Sequence, residues 1–103
     1  PAELGYDPLG RVKARFTALD FLTDEVFPTG PGWGLTCCPI HDDARPSLVV
    51  NLGGDHNQAH YGHVKCMAGC NGGRWMDVIR LYALLNGISD RQAVRELAER
   101  TAK

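Results

Sequence analysis

Cys38-Pro39-Ile40-His41, followed 24 residues later by Cys66-Met67-Ala68-Gly69-Cys70, is the stretch whose reading decides the fold of this 103-residue chain. Two pairs of nitrogen or sulfur ligands, each closed by a short turn, flank a segment patterned as a β-hairpin. The gaps within the pairs are two and three residues, within the range of about two to four found at structural zinc sites. Pro39 fixes φ directly after Cys38 and favours a reversal toward His41. Gly69 can take positive φ before Cys70, and Gly72 and Gly73 let the backbone leave the site sharply. N–H groups in these turns are expected to orient and stabilise the thiolates.

Four cysteines also permit two disulfides. The pair spacing favours metal, and no secretion signal marks an oxidising destination. Cys37 and Cys38 are neighbours and point to opposite faces of an extended segment. Only Cys38 has the two-residue gap to His41, so Cys37 is expected to be a small apolar core residue. His56, His60 and His63 compete as ligands but have no partner in a tight turn. They are read as surface or hairpin histidines.

The length fits one domain, and a chain this short has a thin stability margin. Apolar residues make up 44% of it, which excludes a disordered composition. Net charge is −1 but uneven: residues 1–58 carry −4 and residues 59–103 carry +3. Attraction to phosphate should come from the C-terminal half and be weak. No apolar run approaches about 18 residues, so no membrane partner is expected. A reducing, cytoplasmic setting is expected, with thiols free for metal. The chain opens at Pro1 without a Met, which fits a fragment and a short protein equally.

Along the chain, Asp7 is an N-cap candidate, with Pro8 at the first helical position. Leu9, Val12, Phe16 and Leu19 form one apolar face, and the helix should end before Phe27-Pro28. Residues 28–32 have loop composition. Strands are predicted over 33–38, 47–52 and 60–66, with a tip at 55–58. Val64 is expected to face inward. From Arg74 the period becomes helical, with a stripe of Trp75, Val78, Ile79, Tyr82 and Leu85 stopped by Gly87. Ser89 and Gln92 are placed as a capping box for a last helix, with Ile88 stapling to Ala93 and a buried face of Ala93, Val94, Leu97 and Ala98. The fold class is α+β: a zinc-ribbon-like antiparallel sheet with an N-terminal helix and two C-terminal helices. Residues 1–32 form the N-terminal helix and loop, and residues 33–103 the zinc-binding part of one compact domain.

Read as one string from Cys38 to Val50, the chain resembles the CHC-type zinc-binding domain of bacterial and phage DNA primases. Cys38-Pro39-Ile40-His41, the polar turn, Pro46-Ser47 and a strand occur in the family's order. The Tyr61–Cys66 strand, two further cysteines, the Trp75–Leu85 helix and Ala93-Val94-Arg95-Glu96-Leu97-Ala98 follow. The likeness is close over residues 33–99. The three-residue gap in Cys66-Met67-Ala68-Gly69-Cys70 looks more like the phage and mobile-element primases than the cellular enzymes, which have two. Cys37 is extra. The resemblance implies one structural Zn²⁺ held by Cys38, His41, Cys66 and Cys70, a closed site that scaffolds and does not catalyse.

The resemblance also implies a DNA-binding part of a primosome that contacts single-stranded template during RNA primer synthesis in DNA replication. The chain carries no catalytic site of its own, since it lacks the carboxylate cluster that would hold two Mg²⁺ for polymerisation. Partners implied are a primase catalytic domain, a replicative helicase or both. Single-strand binding needs cations and aromatic faces. The candidates are Arg45, Tyr61, His63, Lys65 and Arg74, with Trp33 or Trp75 where exposed. Alternation puts Tyr61, His63 and Lys65 on one sheet face, and an ordinary solvated face fits the same pattern. Two other readings are a protein-interaction module docking on a primase or helicase, and a zinc enzyme with water at one ligand position.

Overall fold

The computed structural model describes residues 8–41, 45–53 and 61–101. Helix α1 (Pro8–Arg15) leads into a short 3-10 turn over Ala18–Phe21. Strands β1 (Phe27–Gly30), β2 (Trp33–Thr36), β3 (Leu48–Asn51) and β4 (Val64–Cys66) follow, then helices α2 (Val78–Asn86) and α3 (Asp90–Thr101). The sheet is antiparallel throughout, in the order β1-β2-β3-β4. The expected α+β arrangement is therefore present: N-terminal helix, antiparallel sheet, two C-terminal helices.

Several boundaries differ from the sequence reading. The first helix stops at Arg15, well before Phe27. Thr17 begins a new turn: its hydroxyl accepts from the Leu19 N–H, and Asp20 accepts from the Thr17 N–H at 2.8 Å. Side-chain oxygens that bond nearby backbone compete with helix continuation. Leu9 is exposed, so the buried face of α1 reduces to Val12, with Phe16 half-buried. Residues 28–30, loop-like in their proline and glycine, belong instead to strand β1. It is exposed along its whole length and pairs only with β2 among the described residues. An edge strand tolerates Pro28 because one side of its backbone needs no ladder partner.

The sheet and the helices build two adjoining cores. In one, Leu48, Val50, Val64, Met76 and Leu81 pack with Ala18, Cys38 and Cys66. In the other, Val12 meets Val78, Ile79 and Ala83 of α2 and Ala93 and Leu97 of α3. Helix α2 is the shared wall. Its buried residues are Val78, Ile79, Leu81 and Ala83. Tyr82 and Leu85 are only half-buried, and Trp75 lies outside the helix and is exposed. The helix begins at Val78 because the Asp77 carboxylate caps it, accepting the Arg80 N–H at 2.9 Å. It ends at Gly87 in the left-handed region. Ser89 caps α3 through the Gln92 N–H, as its sequence suggests, and the Gln92 amide donates to Glu96.

The Asp7 cap, the polar turn at residues 42–44, the tip at 55–58 and His56 and His60 lie outside the described residues.

Candidate metal centre

Strand β2 ends at Thr36, whose buried hydroxyl donates to the Glu25 carbonyl at 2.8 Å. Two residues on, Cys38 is buried beside the sheet, and the chain bends over Pro39–His41. On the other side, β4 delivers Cys66 at its last position, where it pairs with Leu48. The chain then turns through Met67 and Ala68 and enters a 3-10 turn at Cys70. Gly69 precedes that turn at φ 108°. The Met67 N–H donates to the Ser47 carbonyl at 2.7 Å, which ties this second turn back to β3.

The result brings the four expected ligands together. Ligand atoms of Cys38, His41, Cys66 and Cys70 all lie within 4.8 Å of one another. The Cys38 and Cys70 sulfurs are 3.9 Å apart. His41 Nδ1 is 3.1 Å from the Cys70 sulfur and 4.0 Å from that of Cys66. No disulfide links the described cysteines. Such a cluster of three thiols and one imidazole, two residues buried and two half-buried, can hold one metal ion. Cys37 stays out of it and is half-buried. His63 is not part of it either.

The electrostatics of the thiols follow from the two turns. Burial pushes the Cys66 thiol up. The Cys70 and Ala68 N–H groups and the neighbouring sulfhydryls outweigh burial and bring it down to about 7. Burial and the neighbouring sulfurs push Cys70 up to about 12. Burial also raises Cys38, against the Ile40 N–H, which favours its thiolate. The expected N–H donors are therefore in place: Ile40 two residues after Cys38, and Ala68 two residues after Cys66. Three sulfurs this close cannot all be anionic without a cation among them. The Ser47 hydroxyl stands 4.0 Å from the Cys66 sulfur, a neighbour that the ligand spacing does not single out.

The expected nucleic-acid residues divide: His63 and Arg74 line one groove, with Lys65 beside it, and Arg45 and Tyr61 do not line it. Arg45 is exposed just beyond the His41 turn. Tyr61 is exposed in the turn that precedes β4. Strand β4 itself is shorter than predicted, so alternation places only Lys65 within a strand. His63 and Arg74 line an open groove of about 930 Å³ together with Trp33 and Trp75. Lys65 holds its ammonium 5.9 Å from the Trp75 ring centre. Asn71 and Arg91 also line this groove. No motif or spacing points to these two, because the groove forms only where the helices meet the sheet.

Comparison with protein-family models, with curated proteins and with solved structures finds no significant match to this chain. No helix among the described residues is long and apolar enough to cross a membrane.

Proposed function

We propose that this chain is a zinc-binding domain of the DNA-primase type, which contacts single-stranded template while a separate catalytic domain makes the primer. The observation that carries the reading is the meeting of Cys38, His41, Cys66 and Cys70 at the mouths of two turns. Three thiolates and an imidazole are a common structural zinc set, with bonds of about 2.3 Å to sulfur and about 2.0 Å to nitrogen. Tetrahedral bonds of that length put sulfurs about 3.8 Å apart, close to the 3.9 Å between Cys38 and Cys70. The donor set therefore fits zinc. Four protein ligands leave no position for a reactive water, so the ion would serve as a scaffold.

The residues have separable roles in this reading. Cys38, His41, Cys66 and Cys70 would hold the ion, and the Ile40 and Ala68 N–H groups would orient the thiolates. Zinc would supply a rigid cross-link between the β2–β3 and β4–α2 connections. Exposed cations and aromatic rings outside the metal site would meet the strand. The order of the motif from Cys-Pro-x-His through Pro-Ser to Leu-Ala supports the primase assignment over a generic zinc module.

The test has three parts: zinc content of the purified chain, its affinity for a single-stranded oligonucleotide at low salt, and its effect on primer synthesis by a primase catalytic domain lacking its own zinc domain. One zinc per chain, strand binding and restored primer synthesis are expected. A zinc-loaded chain that captures a primase or helicase but binds no oligonucleotide would replace this reading with that of a protein-docking module.

A further inference from the structure

The strand-binding reading leaves open where on the surface the bases rest. Alternation in the sequence suggests an exposed sheet face bearing Tyr61, His63 and Lys65. The geometry leaves out Tyr61 and shifts the site: we propose that the groove between the sheet and the helix starts, which His63 also lines, binds single-stranded DNA, with Trp33 and Trp75 as a stacking step for consecutive bases. This rests on the reading given under Proposed function and deepens it.

Both indoles are exposed, Trp33 at 37% and Trp75 at 44%. Each indole therefore keeps more than a third of its surface in solvent, within reach of a ligand. They come from distant parts of the chain: Trp33 opens β2, and Trp75 follows the turn after Cys70. Their ring centres are 5.9 Å apart with planes tilted by 37°. That is too close to admit a base between them. It leaves outward-facing indole surface on which bases can stack in sequence, as on other single-strand platforms.

The charge around the pair matches a phosphate backbone. Lys13, Arg74, Arg80 and Arg91 line the groove against Asp77 and Asp90. The two carboxylates are already engaged, Asp77 by Lys13 at 3.2 Å and Asp90 by Arg80 at 2.7 Å. Arg74 and Arg91 have no acidic partner among the described residues. Lys65 stands over Trp75, where its ammonium can meet the phosphate next to a base stacked on that ring. Apolar faces flanked by surplus cations suit a strand with exposed bases. A paired duplex hides its base faces and cannot use the indoles.

The metal site bears on this step through the sheet. Trp75 is five residues past Cys70, and Trp33 is five before Cys38. Strand pairing holds both rings, Trp33 through Asn51 of β3 and Trp75 through the neighbouring Met76, which pairs with Val64 of β4. Loss of the metal should separate the rings and weaken strand binding only by unfolding the sheet that carries both.

The experiment titrates the zinc-loaded chain with a fluorescein-labelled twelve-residue oligo(dT) at low salt, with oligo(rU) and a duplex as further arms. Variants are Trp33→Leu, Trp75→Leu, the Arg74→Gln/Arg91→Gln pair and Tyr61→Ala, each checked for zinc content and circular dichroism. Each tryptophan variant should weaken oligo(dT) binding about tenfold. The arginine pair should flatten the dependence of log affinity on log salt by about 0.7 for each phosphate that is no longer neutralised. Tyr61→Ala should bind like the parent chain. If a tryptophan variant loses its fold, the arginine pair decides the matter. Parent-like binding by folded tryptophan and arginine variants would overturn the groove while leaving strand binding elsewhere on the surface intact. Preference for oligo(rU) or duplex would overturn the single-stranded DNA assignment. Absence of any binding by the parent chain would remove both the groove and the reading it rests on.

Discussion

Val64 and Met76 exchange both backbone hydrogen bonds, Val64 N–H to the Met76 carbonyl at 2.9 Å and Met76 N–H to the Val64 carbonyl at 2.7 Å. This single bridge closes the segment that holds Cys66 and Cys70 and continues the sheet past β4. It also sets the Trp75 backbone at the sheet edge and starts the chain toward α2. The Met76 side chain is buried at 1% exposure in the sheet-side core. Met76→Ala should therefore cost about 2–5 kcal/mol of stability, read by chemical denaturation of the metal-loaded chain. Amide exchange at Val64 and Met76 should accelerate together. A cost under about 1 kcal/mol would mean that the bridge is not what fastens this segment.

Chelation of the metal should unfold the sheet and both turns. A structural zinc site contributes on the order of 10–16 kcal/mol in apparent terms, comparable to the whole stability of a domain, roughly 5–15 kcal/mol. Circular dichroism before and after a strong chelator, and after zinc is restored, checks this. Cys66→Ser should mimic the chelated state. Retention of full structure without metal would show that the two cores suffice alone.

Metal affinity should rise with pH. Binding must expel the protons that burial helps Cys38 and Cys70 to hold, Cys70 at about 12, while Cys66 sheds its own near 7. The expected gain is about a hundredfold per pH unit above pH 7, when two thiols still hold protons, and about a thousandfold per unit below it, when all three do. Competition against a chromophoric chelator from pH 6 to 8 measures the slope. A flat profile would contradict this ligand chemistry.

Asp77 links α1 to α2. Burial raises its carboxyl, but the Arg80 N–H and the Lys13 ammonium outweigh burial and hold it below its ordinary 3.8. A depressed acid contributes stability that is present above its unfolded value and lost as pH falls through its folded value. Asp77→Ala should cost about 1 kcal/mol at neutral pH through the lost cap. Asp77→Asn should keep most of the cap and lose the acid-dependent part. Thermal melts at pH 7 and pH 3 separate the two effects.

Gly62 and Gly87 both sit at positive φ, 84° and 65°, yet they should respond differently to alanine. A Cβ at Gly87 meets nothing within 4 Å, whereas one at Gly62 would lie 2.6 Å from the Thr17 Cβ. Gly87→Ala should cost about 1–2 kcal/mol, the penalty of a left-handed residue. Gly62→Ala carries that penalty and must also push the Thr17 cap away, so its melting temperature should fall further. Equal losses would show that Thr17 yields freely.

The candidate metal ligands are legible in the sequence because metal geometry restricts local spacing: Cys38 with His41, and Cys66 with Cys70. The α3 cap at Ser89 and the stop at Gly87 are legible for the same reason, since caps and left-handed turns depend on residues a few positions apart. Composition and period also indicate the α+β class and strands β2, β3 and β4, though not their ends. Strand β1 escapes because Pro28, Thr29 and Gly30 look like loop, and only pairing with β2 makes them a strand. Periodicity puts Trp75 within the helical stripe because it does not reveal that Asp77 caps a helix starting only at Val78. What only the tertiary structure decided is the groove. Trp33, Arg74, Trp75 and Arg91 have no sequence spacing in common, and their meeting depends on how β2, the turn after Cys70 and the start of α3 pack around the two cores.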